Sequence, residues 1–402
     1  MLLPSALTDQ ALAALITEAN ARLDIPAHNA ASRALWEAYL AGSPERVPFR
    51  LGINPRFILL DPALNPEGIT FRQYTEDPEL MLQILLRFQC WVRHAIVQDC
   101  DLGLPERGWS LAPDLQNYYE GAWLGCPVFF NEHEVPDCRP WLGDDNKREV
   151  FDRGIPDPFG GALARNLEYY EYFKARQQAG FEFFGRPLAE VSLAACGSDG
   201  PFTVACNLRG ATQLCLDLYQ DPDYVHQLLA FITEAAIVRI TAYRKFLGQP
   251  LRTQSFGLAD DSIELLSTEA YEEFVLPHHR RLLDTFGQGG PHYIHLCGDA
   301  QRHFPTLKEQ LNIHTFDTGF PIDFAWVRRA LGPEVWIQGG PPVQLLLHGT
   351  PDQVAAETRR ILSSGITEGK RFMMREANNL APRTPLDNLE AFYQATLQHG
   401  RY

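Results

Sequence analysis

The sequence predicts an α/β protein built on parallel strands: a closed (β/α)8 TIM barrel over residues 46–402, preceded by a helical extension over residues 1–45. Three observations point there. Through the C-terminal half, short apolar runs alternate with helix-length amphipathic segments over four or five units, the pattern of parallel strands joined by crossover helices. No Gly-x-Gly-x-x-Gly turn follows the early strands, which disfavours a dinucleotide-binding sheet. Nearly every later strand runs into a polar or glycine-rich cluster, and in such barrels the chemistry sits at the C-terminal strand ends.

Taken in order, Thr8 to Leu40 reads as helical, because Leu12, Leu15, Ile16, Ala19 and Leu23 recur at helical spacing. Val47–Ile53 reads as a strand, Pro78–Val97 as a long helix, and Trp109-Ser-Leu-Ala-Pro as a further strand. Cys126 to Pro136 reads as a hairpin or excursion, and Leu142 to Phe159, rich in Asp, Gly and Pro, as a loop. A helix over Asn166–Gln178 and a strand over Leu188–Ala195 lead to the Gly197-Ser-Asp-Gly-Pro201 turn. Helical segments over Asp221–Leu247 precede a strand over Thr253–Leu258. Ser267 caps a helix running to Phe286. Strands over His292–Leu296, Ile313–Asp317, Val335–Gln338 and Arg371–Arg375 then alternate with helices over Arg302–Leu311, Phe324–Leu331, Pro351–Leu362 and Pro385–His399.

A chain of 402 residues that is 45% hydrophobic can bury one large core or two medium ones. Its 35 basic and 50 acidic residues give a formal charge of −15, which argues against nucleic acid or a membrane surface as partner. No uninterrupted apolar run approaches the roughly 20 residues of a membrane span. The N-terminus lacks a basic segment followed by an apolar core, so it does not read as a secretory signal, and a cytoplasmic protein is expected. The eight cysteines are scattered without a Cys-x-x-Cys pair and read as reduced thiols.

The strand ends carry Asp260-Asp261, His295 with Cys297 and Asp299, Asp317-Thr318-Gly319, Gln338-Gly339-Gly340, and Arg375-Glu376-Ala-Asn378-Asn379. An imidazole and a thiol two residues apart on a strand share one face, because side chains alternate with a period of two. Nitrogen and sulfur donors converging at a strand end suit zinc. The competing reading makes Cys297 a buried small hydrophobe and His295 a hydrogen-bonded core residue. Turn chemistry accounts for Gln338-Gly339-Gly340, but it does not explain an Arg-Glu-x-Asn-Asn run directly after Phe372-Met373-Met374.

These motifs give the chain a family resemblance. His295-x-Cys297-Gly298-Asp299, Asp260-Asp261 followed by Leu265-Leu266-Ser267, Gly200-Pro-Phe-Thr, and the tail from Leu347 through Asn379-Leu-Ala-Pro-Arg-Thr-Pro385 to Asn388 resemble the uroporphyrinogen decarboxylase family. Within it they look most like the branch that moves methyl groups to or from corrinoid proteins and thiols. The resemblance covers about Arg46 to the C-terminus. It implies His295 and Cys297 as zinc ligands, with a third near the last strand end. There the family's cysteine falls on Asn378, between Glu376 and Asn379, and no cysteine follows Cys297. The expected site is therefore His295–Cys297–Glu376, a site altered toward another metal, or a lost one.

The function implied is a metal-dependent methyltransferase, in which Asp260, Asp261, Asp317 and Glu376 orient substrate or handle protons. Any cobalamin would arrive free or on a corrinoid protein, since no Asp-x-His-x-x-Gly signature occurs in this chain. The resemblance also implies a homodimer. The alternative is a metal-independent lyase or decarboxylase acting on a carboxylated, porphyrinogen-like or smaller substrate. Arg50, Arg56 and Arg375 would clamp carboxylates, and Gln338, Asn117, Asn378 and Asn379 would line the substrate site. Asn117, with Gln116, stands about where the porphyrin decarboxylases place an aspartate, which counts against porphyrin chemistry. A third reading is a binder that keeps the barrel and has lost the chemistry.

Overall fold

The computed structural model describes residues 3–132 and 134–402. Met1 and Leu2, with which the non-secretory reading of the N-terminus begins, and His133, inside the predicted excursion, lie outside the described residues. The chain divides into two compact units. One takes the chain up to Leu111, Phe173–Val191 and Thr318–Tyr402; the other takes Ala112–Tyr172 and Ser192–Asp317.

In the first unit, the helical N-terminal pattern resolves into Asp9–Arg22 and Ile25–Leu40. Thr8 caps the first helix by accepting from Ala11 N–H, and Asp24 caps the second by accepting from Ala27 N–H. The long helix Pro78–Ala95 starts at Asp77, whose side chain accepts from the backbone of Glu79 and Leu80. Trp109–Leu111 pairs in parallel with Arg186–Val191, which turns back antiparallel onto Glu182–Phe183. Trp336–Gly339 and Phe372–Met374 form a second parallel pair.

The predicted strand Val47–Ile53 is extended, but it joins Phe372–Met374 only partly. Arg50 N–H reaches Met374 O at 3.1 Å, whereas the alternate donors Phe49 and Leu51 go to Asp99 Oδ2 at 2.8 Å and Gln98 Oε1 at 2.9 Å. Side chains thus take the place of a neighbouring strand and satisfy buried donors that would otherwise be orphaned.

In the second unit, Gly257–Ala259, His292–Leu296 and the strand Ile313–Thr318, which belongs to this unit as far as Asp317, lie side by side in that order. Ala259 stands opposite His295 in a parallel register. The predicted excursion forms an antiparallel ribbon of Val128–Phe129 and Asp137–Cys138, and the predicted loop at 142–159 contains the short helix Glu149–Arg153. The helix expected over Ser267–Phe286 is broken by a π-turn at Tyr271–Val275, just before Pro277, which has no N–H to donate.

Pro222–Phe246 is a single helix, apolar and long enough to cross a membrane by composition alone. Half of its most apolar window is buried inside the unit, and it carries the fully buried Arg239 in an ion pair with Glu120, as a core helix does. The fold is α/β with parallel strands, in agreement with the sequence reading.

Candidate metal centre

Along His292–Leu296 the alternate residues His292, Ile294 and Leu296 are buried, while Tyr293 and His295 are less so. Period two places Tyr293, His295 and then Cys297 on that second face. The register extends the site sideways. Two residues beyond the Ala259–His295 pair, Asp261 meets Cys297, and Cys297 N–H donates to Asp261 Oδ1 at 2.7 Å. On the other side, Asp317 Oδ2 lies 2.7 Å from His295 Nδ1 and accepts from Tyr293 Oη at 3.0 Å. His295 Nε2 faces Cys297 Sγ at 3.2 Å.

Asp261, His295 and Cys297 each offer a ligand atom, and these atoms lie within 4.8 Å of one another. Gly298 lets the chain leave the site at φ +76°. A Cβ there would lie 1.8 Å from Glu264 Oε2, whose carboxylate accepts from Asp299 N–H at 3.0 Å.

Burial by itself depresses His295, but the hydrogen bonds and charges of Asp317 and Cys297 outweigh it and raise the ring to about 11. An ionised carboxylate only accepts, so Nδ1 carries the proton given to Asp317, and Nε2 is the nitrogen left to coordinate once the ring is neutral. Burial pushes the Cys297 thiol up, and the His295 hydrogen bond pulls it partly back. The donor set fits zinc. Zinc–nitrogen and zinc–sulfur bonds of about 2.0 and 2.3 Å at a tetrahedral angle separate N and S by roughly 3.5 Å, close to the spacing found here. Three protein donors also leave one coordination position for a substrate.

Asp260 is placed differently from its neighbour. It is completely enclosed, accepting from Phe202 N–H, Thr203 N–H and Thr203 Oγ1, and it faces His279 Nε2 at 3.0 Å. Its oxygens hold the start of the Pro201–Arg209 helix and present nothing outward. Asn117 is exposed on the turn Gln116–Tyr118.

Two residues in this unit escaped the sequence reading. Tyr293 was visible as the third member of the period-two face. Asp199 sits in the Gly197-Ser-Asp-Gly200 turn, where its N–H donates to Glu120 Oε2 at 2.6 Å. Burial first, and then the charges of Glu120 and Asp261, raise its carboxyl to about 8.

In the first unit, Arg50, Gln338 and Arg375 line one cavity of about 450 Å³ together with Trp36 and Gly52. Glu376 is buried: both its oxygens accept from Gly52 N–H at 3.0 Å, and Arg375 Nη2 donates to Oε1 at 2.8 Å. Burial lifts Glu376 to about 7, against the pull of Arg375. Asn378 and Asn379 are half-buried, the second donating its N–H to the first at 2.7 Å.

The His-Cys-Asp arrangement lies inside residues 186–399, the stretch that matches the uroporphyrinogen decarboxylase (URO-D) family model and more than half of the chain. The chain belongs to the uroporphyrinogen decarboxylase family. This URO-D-family protein is similar to the methylated-thiol–coenzyme M methyltransferase of Methanosarcina mazei, with 34% identity over 199 residues that cover 48% of this chain and 50% of the relative. It is also similar to the uroporphyrinogen decarboxylase of Anaeromyxobacter dehalogenans, 29% identical over 207 residues that cover 50% of this chain and 57% of that one. The chain thus spans about half the length of these curated relatives. A solved methyltransferase from Methanosarcina mazei has the same fold, with a TM-score of 0.60 and 19% identity over 91% of this chain and 97% of its own.

Proposed function

We propose that this URO-D-family chain is a metal-dependent methyltransferase, moving a methyl group between a small molecule or corrinoid and a thiol-type acceptor. The observation that supports it most is the convergence of His295 Nε2, Cys297 Sγ and the Asp261 carboxylate, with Asp317 behind the imidazole. A zinc ion bound there would act as a Lewis acid that lowers the pKa of an acceptor thiol. His295, Cys297 and Asp261 would hold it, Asp261 taking the part that the sequence reading gave to Glu376.

Asp317 keeps the Nδ1 proton in place and orients the ring, with Tyr293 fixing the same carboxylate oxygen. Asp199, a carboxyl still protonated near neutral pH, supplies a group able to hold a proton beside Asp261. The reading carries with it a closed barrel, a cytoplasmic homodimer, and cobalamin that comes free or on a corrinoid protein.

A second reading, a metal-independent decarboxylase or lyase, draws on the other unit. Arg50 and Arg375 in one cavity suit a carboxylated substrate, and Glu376, lifted to about 7, suits an acid or base. Metal analysis of protein purified without added metal separates the two. Methyl transfer predicts one zinc per chain, lost in Cys297→Ser together with consumption of methylcobalamin in the presence of thiols. A metal-free protein whose turnover of a carboxylated substrate survives Cys297→Ser would leave the second reading standing.

A further inference from the structure

We propose that Arg302 is a positioning residue of the metal centre, setting where the Asp261 carboxylate stands relative to the Cys297 sulfur. The inference rests on the metal site of the methyltransferase reading and goes beyond its donor set. The two ligands stand where the strand ladder has stopped. Pairing between Gly257–Ala259 and His292–Leu296 ends at Ala259 and His295, so Asp261 and Cys297 leave the sheet on separate segments. Asp261 opens the 3-10 turn Asp261–Leu265, and Cys297 opens the loop to the short turn Gln301–His303.

Past the ladder, side chains hold one segment against the other. Cys297 N–H donates to Asp261 Oδ1 at 2.7 Å, and Asp299 N–H donates to Glu264 Oε2 at 3.0 Å. His303 Nε2 donates to Ile263 O at 3.0 Å. Arg302 makes the widest tie. Its Nε and Nη2 donate to Leu266 O at 2.9 and 2.8 Å; Nη2 also donates to Glu264 O, and Nη1 to Asp299 O. One guanidinium thus joins the far end of the Asp261 turn to the chain two residues past Cys297.

The residue type fits the task. A guanidinium carries its donors in a fixed planar fork and holds several carbonyls at set spacing, which an ammonium on a flexible stem does not. Glu264 and Leu266 close a helical turn, where the last carbonyls need donors and a cation is favourable. The two segments are also in direct contact. Gly298 leaves the site at φ +76°, and a side chain on it would meet the Glu264 carboxylate, so a shift of one segment moves the other. Arg302 itself is exposed and fills no core space, so replacing it breaks the tie and leaves no cavity.

The test compares full chains of wild type, Arg302→Gln and Arg302→Lys in three measurements. These are zinc affinity by chelator competition, ligand-field absorption of the cobalt(II)-loaded protein, and the thermal midpoint of the metal-free protein. Arg302→Gln should bind one metal per chain about 10-fold more weakly, the lower end of what groups that orient ligands contribute. Its cobalt bands should move from the wild-type positions. Arg302→Lys should recover part of the affinity, since its ammonium keeps a donor for the carbonyls. Arg280→Gln removes an exposed guanidinium bonded to Gln310 elsewhere in the unit, and it should change neither affinity nor bands. If Arg302→Gln does not fold, the lysine variant carries the same comparison with wild type. Unchanged affinity and bands in the Arg302 variants overturn the proposal, whatever the thermal midpoint does. So does weaker binding with unmoved bands and no recovery in Arg302→Lys, the mark of a general loss of stability. A wild-type chain that binds no metal overturns the methyltransferase reading itself, a failure distinct from these.

Discussion

The second unit contains two histidine–aspartate pairs with nearly the same hydrogen bond and opposite surroundings. His279 and Asp260 meet at 3.0 Å with both side chains 0% exposed; His295 and Asp317 meet at 2.7 Å with the imidazole 27% exposed. In the first pair every ring nitrogen and carboxylate oxygen has a partner within the protein, the far nitrogen of His279 going to Tyr271 Oη at 3.1 Å. In the second, the far nitrogen faces a thiol, with a carboxylate close by. A histidine–aspartate pair is therefore no signature of chemistry. What distinguishes the two is whether the second ring nitrogen has been spent on the fold.

The strongest way to break this contrast is to truncate each histidine. His295→Ala should abolish stoichiometric metal binding while leaving the thermal midpoint of the metal-free protein little changed. His279→Ala should leave Asp260 buried with fewer partners and cost about 3–5 kcal/mol in denaturant unfolding. The fraction that folds should still bind metal. If both variants lose metal, or both lose only stability, the division between a structural and a functional pair fails.

A smaller effect comes with acid. Burial, first among the causes, lowers His278 and His303 to about 4, while Thr233 and the Ile263 carbonyl hold their rings. The unfolded chain takes up protons on these rings near 6.5, before the folded chain does. Their stabilisation is therefore full above 6.5 and is lost as pH falls from 6.5 toward 4, on the order of 2–3 kcal/mol each. Asp199 and Glu376, raised to about 8 and about 7, take up protons in the folded state and offset part of this loss. The difference between wild type and His303→Gln, followed from pH 7 to 4.5, isolates one imidazole. A constant difference over that range would contradict the assignment.

The fold was more legible than the site, for a physical reason. Helix periodicity, caps and short apolar runs are local, so His292–Leu296 and the helices around it follow directly from the sequence. Val47–Ile53 misled because its pattern is that of a strand, while two of its donors, Phe49 and Leu51 N–H, are satisfied by the side chains of Asp99 and Gln98 some fifty residues away. Within the site, His295 and Cys297 were visible as neighbours on one face. Asp261 was visible as a strand-end acid that could orient substrate or handle protons, but not as a partner of Cys297, because their meeting depends on which strand lies beside which and in what register. Asp260, adjacent in sequence and identical in type, went into the fold instead. No local signal separates the two.

The backbone at the site offers a finer test. Gly298→Ala would place a Cβ into Glu264 and force an L-residue to φ +76°. The left-handed conformation alone costs roughly 1–2 kcal/mol, and displacing Glu264 removes the acceptor for Asp299 N–H. Because Cys297 is the preceding residue, metal affinity should fall along with stability. Gly68→Ala, also at positive φ but with nothing near its Cβ, should lose stability alone.

The mildest perturbation is Tyr293→Phe. It removes one hydroxyl, and the ring stays on the strand face beside His295. Its target is the shared oxygen: Asp317 Oδ2 accepts from both Tyr293 Oη and His295 Nδ1, so losing the hydroxyl leaves the carboxylate freer to rotate. Groups that orient a ligating histidine typically contribute 10- to 100-fold in metal affinity. With the Asp317–His295 bond itself retained, about 10-fold is expected here, measured by competition with a chromophoric chelator. The metal should still bind one per chain, and the unfolding midpoint of the metal-free protein should barely move. An unchanged affinity would mean that Asp317 is held firmly enough without the tyrosine, and that the site ends at the carboxylate.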